Sequence, residues 1–245
     1  MINHKLNEST IGSAKVIVDI LPGGKVIPNT KITPTSITIH NTGNIGAPAK
    51  NNHNYMKNCN QNGSRIASWH FTVDDKEIYQ AQSCNYKTFH AGNATGNNTS
   101  IGIEICMFND KEKQRKAYEN AIELVKILLK YYGWTIDKVK RHKDWSGKHC
   151  PAWLIEGKFG YTWDWFKKQV TSKQPASVPT SNDAFVVKVL VNSLNVRKGP
   201  GTSYAVVTSI KKGEAYTITE VNGSWGKLKS GVGWINISAN YVKRV

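Results

Sequence analysis

The sequence has no apolar run long enough to cross a bilayer: uncharged stretches such as the one between Thr88 and Glu104 are filled with Asn, Thr and Gly. Nor does it open on an export signal. Lys5, Glu8, Lys15 and Asp19 interrupt the N-terminal stretch where a secretory leader needs an unbroken apolar core. The expectation is therefore synthesis in the cytoplasm without a signal peptide. Cysteine is sparse, with Cys59, Cys84, Cys106 and Cys150 standing singly, and a chain of 245 residues needs no covalent staple. No disulfides are expected. Acidic residues are scarce too: 17 Asp and Glu face 33 Lys and Arg, a net charge of +16 that draws the protein toward polyanions. Nucleic acid, acidic lipid and anionic wall polymers all fit that charge. However, residues 1–170 hold 23 basic and 14 acidic side chains and residues 171–245 hold 10 and 3, so no basic arm stands out. With no Arg-dense helix and no RNA-binding signature either, nucleic acid is not the expected partner. No internal repeat is visible.

What is present is enough for a core. The hydrophobic share is 39% and there are eight Trp, which excludes a disordered chain. Residues 171–183, TSKQPASVPTSND, are rich in Ser, Thr and Pro and read as a linker. They divide the chain into domains at residues 1–170 and 184–245. In the first, Ser36–His40, Ser68–Val73, Glu77–Gln80 and Ile101–Met107 read as strands. Ala47–Asn58, Asp110–Tyr132 and Trp163–Val170 read as helices. Interleaved strands and helices predict an α/β domain, a mixed sheet covered by helices. After the linker, seven short strands separated by Gly-containing turns predict a small all-β barrel.

Three side chains of the first domain suit a metal: His40 at a strand end, and His142 and Cys150 within RHKDWSGKHCPAWL. Two imidazoles and a thiolate are a zinc-type set. Three protein ligands leave tetrahedral zinc a fourth position for water, whose pKa falls toward about 7. His149 is a rival ligand, but chain neighbours usually point apart, which favours Cys150.

The motifs SITIHNT, ASWHFTVDDKEIYQ, FHAGN, NNTSIGIEIC and RHKDWSGKHCPAWL together resemble the type-2 group of zinc-dependent N-acetylmuramoyl-L-alanine amidases, relatives of T7 lysozyme and of Bacillus phage lysins. The resemblance implies a peptidoglycan hydrolase that cuts the amide between N-acetylmuramic acid and the L-alanine of the stem peptide. It implies zinc on His40, His142 and Cys150, with Glu104 orienting and deprotonating water and Lys148 steadying the oxyanion. His90 and Asn93, in FHAGN, are implied substrate contacts. T7-like relatives carry a catalytic tyrosine before the histidine of the HF motif; here Trp69 takes that place, cannot donate a phenolic proton, and is expected to pack or to stack on substrate. The thiolate blunts the metal's Lewis acidity, which makes a carboxylate at the water and a cation at the oxyanion more necessary.

LNVRKGPGTSYAVVTSIKKGE and SWGKLKSGVGWINISANYV resemble a bacterial SH3 domain, a wall-binding module in which Tyr204, Trp225 and Trp234 are candidate contacts. Anionic teichoic polymers then account for the basic charge. The combination is similar to a phage or prophage endolysin. A host autolysin and a non-catalytic peptidoglycan-recognition protein are the alternative readings.

Overall fold

A computed structural model describes residues 1–172, 184–202, 204–222 and 224–245. The chain divides into two compact units, Met1–Ser172 and Lys173–Val245. Most of the 171–183 linker lies outside the described residues; of the part that is described, Thr171 still belongs to a helix.

The first unit runs β1 (Thr10–Ile11), β2 (Ala14–Val18), β3 (Ser36–Ile45), α1 (Ala49–Asn62), β4 (Phe71–Val73), β5 (Glu77–Gln80), α2 (Ala94–Thr99) and β6 (Ser100–Met107). It continues α3 (Lys111–Tyr132), β7 (Val139–Arg141), α4 (Lys143–Ser146), α5 (Ala152–Glu156) and α6 (Trp163–Thr171). Its sheet has the order β1-β2-β5-β4-β6-β3-β7, parallel except where β1 meets β2 and β4 meets β5. The expected strand over Ser68–Val73 forms only at Phe71–Val73. The preceding residues are pinned elsewhere, with Ser68 N–H on the Phe89 carbonyl and Ser68 Oγ on the Val26 carbonyl.

Strand alternation sorts the two faces. Ile37, Ile39, Ile101, Ile103 and Ile105 share a core with Tyr118, Leu124, Val125 and Leu128 of α3 and Phe166 of α6. Asp110 caps α3 by accepting from Lys113 N–H, and Gly133 ends it at φ 67°, a left-handed conformation that glycine adopts without a Cβ clash. The opposite parity carries polar groups. Parallel register sets Thr72 beside Glu104 and Glu104 beside His40, so the three fall in one row across β4, β6 and β3. His142 follows β7 directly, and its N–H donates to the Ile39 carbonyl. The row crosses the middle of these strands, with His40 the fifth of ten residues in β3 and Glu104 the fifth of eight in β6.

The second unit is antiparallel throughout: β8 (Phe185–Val189), β9 (Ser193–Arg197), β10 (Val206–Lys211), β11 (Ala215–Asn222), β12 (Trp225–Leu228), β13 (Trp234–Asn236) and β14 (Val242–Arg244), in the order β10-β9-β13-β12-β11-β8-β14. Val187, Val189, Leu194, Val196, Ile210, Ile218 and Ile235 make its core. No described helix is long and apolar enough to cross a membrane.

Candidate metal centre

His40 ends the apolar part of β3, His142 stands between β7 and α4, and Cys150 lies in the loop before α5. One donor atom from each falls within 4.8 Å of the others, and all three side chains are buried. His40 Nδ1 is 3.0 Å from His142 Nδ1 and 3.8 Å from Cys150 Sγ. The loop is held by Lys143 N–H on the Cys150 carbonyl.

The hydrogen bonds behind the rings fix which nitrogen is free. His90 Nε2 lies 3.2 Å from the Ser100 carbonyl, which can only accept, so this nitrogen carries the proton. His90 Nδ1 is then an acceptor, and at 3.0 Å it accepts a hydrogen bond from His40 Nε2–H. That leaves a lone pair on His40 Nδ1. This lone pair faces His142 Nδ1 at 3.0 Å and Cys150 Sγ at 3.8 Å, and two imidazole nitrogens with a sulfur are a donor set that fits a zinc ion.

Electrostatics agree. Burial holds His40 well below the usual imidazole range, with further lowering from His90, His142 and Lys148. Burial also holds His142 down at about 4, helped by Lys148. Both rings are neutral at pH 7, the form that ligates. Burial and the nearby Glu104 push the Cys150 thiol up to about 12, while the Asn41 N–H and Lys148 oppose the rise. Loading a metal therefore has to displace the thiol proton while the imidazoles contribute none. Metal affinity is expected to rise about tenfold per pH unit through the neutral range, measured by chelator competition. An affinity flat with pH would mean that Cys150 binds no metal.

Glu104 and Lys148 line the same cavity of about 510 Å³ as His40, His142 and Cys150. Glu104 Oε2 is buried and has no hydrogen-bond partner among the described residues. Desolvation raises this carboxyl to about 8, against the lowering influence of Lys148 and Arg65. A cation seated by the three donors would draw it back toward ionisation. Arg65, an exposed residue of the segment between α1 and β4, also lines the cavity, as do Asn41 and Tyr55. None of these three carries a sequence signal of its own. A lone arginine in an irregular segment looks like any solvated cation.

The other expected residues separate. Trp69 borders the cavity but is buried beside Met56, with Nε1–H donating to Thr72 Oγ1 at 2.6 Å, so its polar atom serves the interior. Both ring nitrogens of His90 are engaged within the protein, so its polar atoms are not free for the substrate contact expected of them. Asn93 is not among the cavity-lining residues, and its Oδ1 caps α2 by accepting from Gly96 N–H. His149 lines the same cavity but is exposed, pairs with Glu156 and is not one of the clustered donors. In the second unit Tyr204 is 47% exposed and Trp225 half-buried, whereas Trp234 is buried with Lys227 Nζ over its ring, on the strand face opposite the core residue Ile235.

Comparison with known proteins places these features. Residues 30–153 match the family model described as N-acetylmuramoyl-L-alanine amidase, and residues 192–243 match the bacterial SH3 domain. The chain is 43% identical over 157 residues to the N-acetylmuramoyl-L-alanine amidase XlyA of Bacillus subtilis (strain 168), covering 62% of this chain and 50% of that protein. It thus spans about half the length of that relative. The structure of the catalytic domain of XlyA aligns with a TM-score of 0.57 at 42% identity, covering 64% of this chain and 99% of that one. A structure described as a mutant endolysin from Bacillus subtilis aligns with a TM-score of 0.57 at 40% identity, covering 64% and 99%.

Proposed function

The chain belongs to the N-acetylmuramoyl-L-alanine amidase family, and from that premise we propose that it hydrolyses the amide joining N-acetylmuramic acid to the L-alanine of the peptidoglycan stem peptide. The observation that carries this reading is the convergence of three metal donors and an unpartnered Glu104 oxygen in one cavity. His40, His142 and Cys150 would hold zinc. When bound, zinc supplies a Lewis acid that brings the pKa of water toward about 7 and polarises a carbonyl.

The remaining work belongs to the chain. Glu104 takes a proton from the attacking water and returns it to the leaving alanine nitrogen. A carboxyl whose environment balances desolvation against two cations can exchange a proton near neutral pH, as a group that first accepts and then donates must. Lys148 donates to the amide oxygen as negative charge gathers there. Arg65, across the same cavity, offers a second cation to the anionic stem peptide. Trp69 closes the floor with its ring and contributes no proton.

The test is digestion of purified cell wall by the zinc-loaded protein. Free N-terminal alanine should appear, and new reducing sugar ends in its place would refute the proposal. The role that fits is that of an endolysin, supported by the likeness to the mutant endolysin structure.

The second unit is proposed to hold the enzyme on the wall, with the exposed Tyr204 and the half-buried Trp225 as its aromatic contacts. Anionic teichoic polymers suit a segment, residues 171–245, that carries 10 basic and 3 acidic side chains. Such attraction fades as the Debye length shrinks from about 30 Å at 0.01 M salt to about 10 Å at 0.1 M. Wall binding in a sedimentation assay is therefore expected to weaken across that range, and unchanged binding would count against charge steering.

A further inference from the structure

We infer that His90 is a positioning residue that sets the tautomer of His40 and thereby creates a metal-binding lone pair. The inference rests on the hydrolase reading only in naming zinc as the cation. It begins at a backbone carbonyl. Ser100 is the first residue of β6, and its carbonyl oxygen accepts from His90 Nε2 at 3.2 Å. The Ser100 hydroxyl proton is used elsewhere, on the Gly96 carbonyl at 2.7 Å. The protonated side of His90 therefore faces β6, and its bare Nδ1 faces His40 Nε2 at 3.0 Å. A proton is drawn to His40 Nε2, and His40 Nδ1 is left open toward His142 and Cys150.

The site is built to hold that ring. Both histidines are buried, and their rings meet edge to face with centroids 5.1 Å apart. Backbone N–H groups of His90 and Ala91 both donate to Asn97 Oδ1, fixing the turn that carries the ring. Gly102 leaves the space beneath: a Cβ there would stand 2.8 Å from His90 Cγ. His90 thus orients the His40 imidazole, in the way that outer partners of metal-bound histidines fix tautomer and ring direction.

The experiment compares the wild-type protein with His90→Phe, which keeps a ring but has no acceptor, and His90→Asn, whose Oδ1 occupies about the position of Nδ1. Nitrogen-15 shifts of the His40 ring in the metal-free protein report the tautomer, and chelator competition reports zinc affinity. The wild-type protein should carry the His40 proton on Nε2 alone. His90→Phe should populate both tautomers and weaken zinc binding by about 10–100-fold, with hydrolysis restored by excess zinc. His90→Asn should recover most of the affinity. A wild-type His40 protonated at Nδ1 would overturn the inference. So would a folded His90→Phe with wild-type zinc affinity and an unchanged His40 ring. Should the Phe variant not fold, the wild-type tautomer and the Asn variant still decide. Absence of zinc binding by the wild-type protein would instead strike the hydrolase reading, because the tautomer is read without metal.

Discussion

Glu104→Gln is expected to lower turnover on purified cell wall by about 10³-fold, within the range of about 10²–10⁴ assigned to a positioned proton-transfer group, while zinc stays bound at wild-type affinity. The two outcomes separate because Glu104 is not one of the three clustered donors. Its side chain stands next to His40 in the parallel register of β6 and β3, and its Oε2 is buried without a partner. Glutamine keeps the shape and hydrogen-bonding capacity of the side chain but cannot take a proton. A buried amide also avoids the desolvation that pushes the Glu104 carboxyl up to about 8, so the variant should be no less stable than the parent. Steady-state digestion together with zinc content per chain checks both halves. Near-normal turnover would remove Glu104 from the chemistry, and lost zinc would make it a ligand instead.

Cys150→Ser should produce the other large effect, and in the opposite pattern: zinc binding weakens, and hydrolysis at limiting zinc falls with it. A serine hydroxyl does not ionise at neutral pH and is a poor zinc donor. Structural zinc sites bind with about 10–16 kcal/mol, so one ligand of four is worth about 3 kcal/mol, or a ~10²-fold loss of affinity. The substitution preserves volume within one atom. It also leaves the main-chain bonds of the loop, Lys143 N–H on the Cys150 carbonyl and Cys150 N–H on the Lys148 carbonyl, untouched. The fold should therefore survive, as circular dichroism would show. Cys106→Ser is the matched control. Cys106 is also a buried free thiol on the sheet, but it lies outside the donor cluster, so its substitution should leave zinc affinity unchanged. Equal losses in the two variants would mean that general damage to the core, rather than ligation, explains the first.

How much of this was legible in the sequence follows from what is local. α3 was readable almost to the residue, because Tyr118, Ile122, Val125 and Leu128 repeat at helical spacing between an Asp cap and a Gly stop. His40, His142 and Cys150 were readable by residue type and motif. Their meeting was not: it depends on β7 joining β3 in parallel, a pairing across about 100 residues that no local pattern encodes. β1, β2, β7, α2, α4 and α5 are short, and their ends are set by tertiary hydrogen bonds rather than by periodicity. The role of His90 was hidden for the same reason, since His40 lies 50 residues away and its other partner is a backbone carbonyl, which no residue type announces. Asn93, expected at the substrate from the FHAGN motif, caps α2, a use of its side chain that the motif does not show. Trp234, a candidate wall contact by residue type, is buried with Lys227 over its ring, a cover set by the pairing of β12 with β13.

The central claim, an ion held by two imidazoles and one sulfur with a corner left for solvent, is tested most directly by zinc X-ray absorption on the loaded protein. One zinc per chain is expected, with one sulfur at about 2.3 Å, two imidazole nitrogens at about 2.0–2.1 Å and one exchangeable oxygen. A shell without sulfur, or one closed by a fourth protein donor, would contradict it.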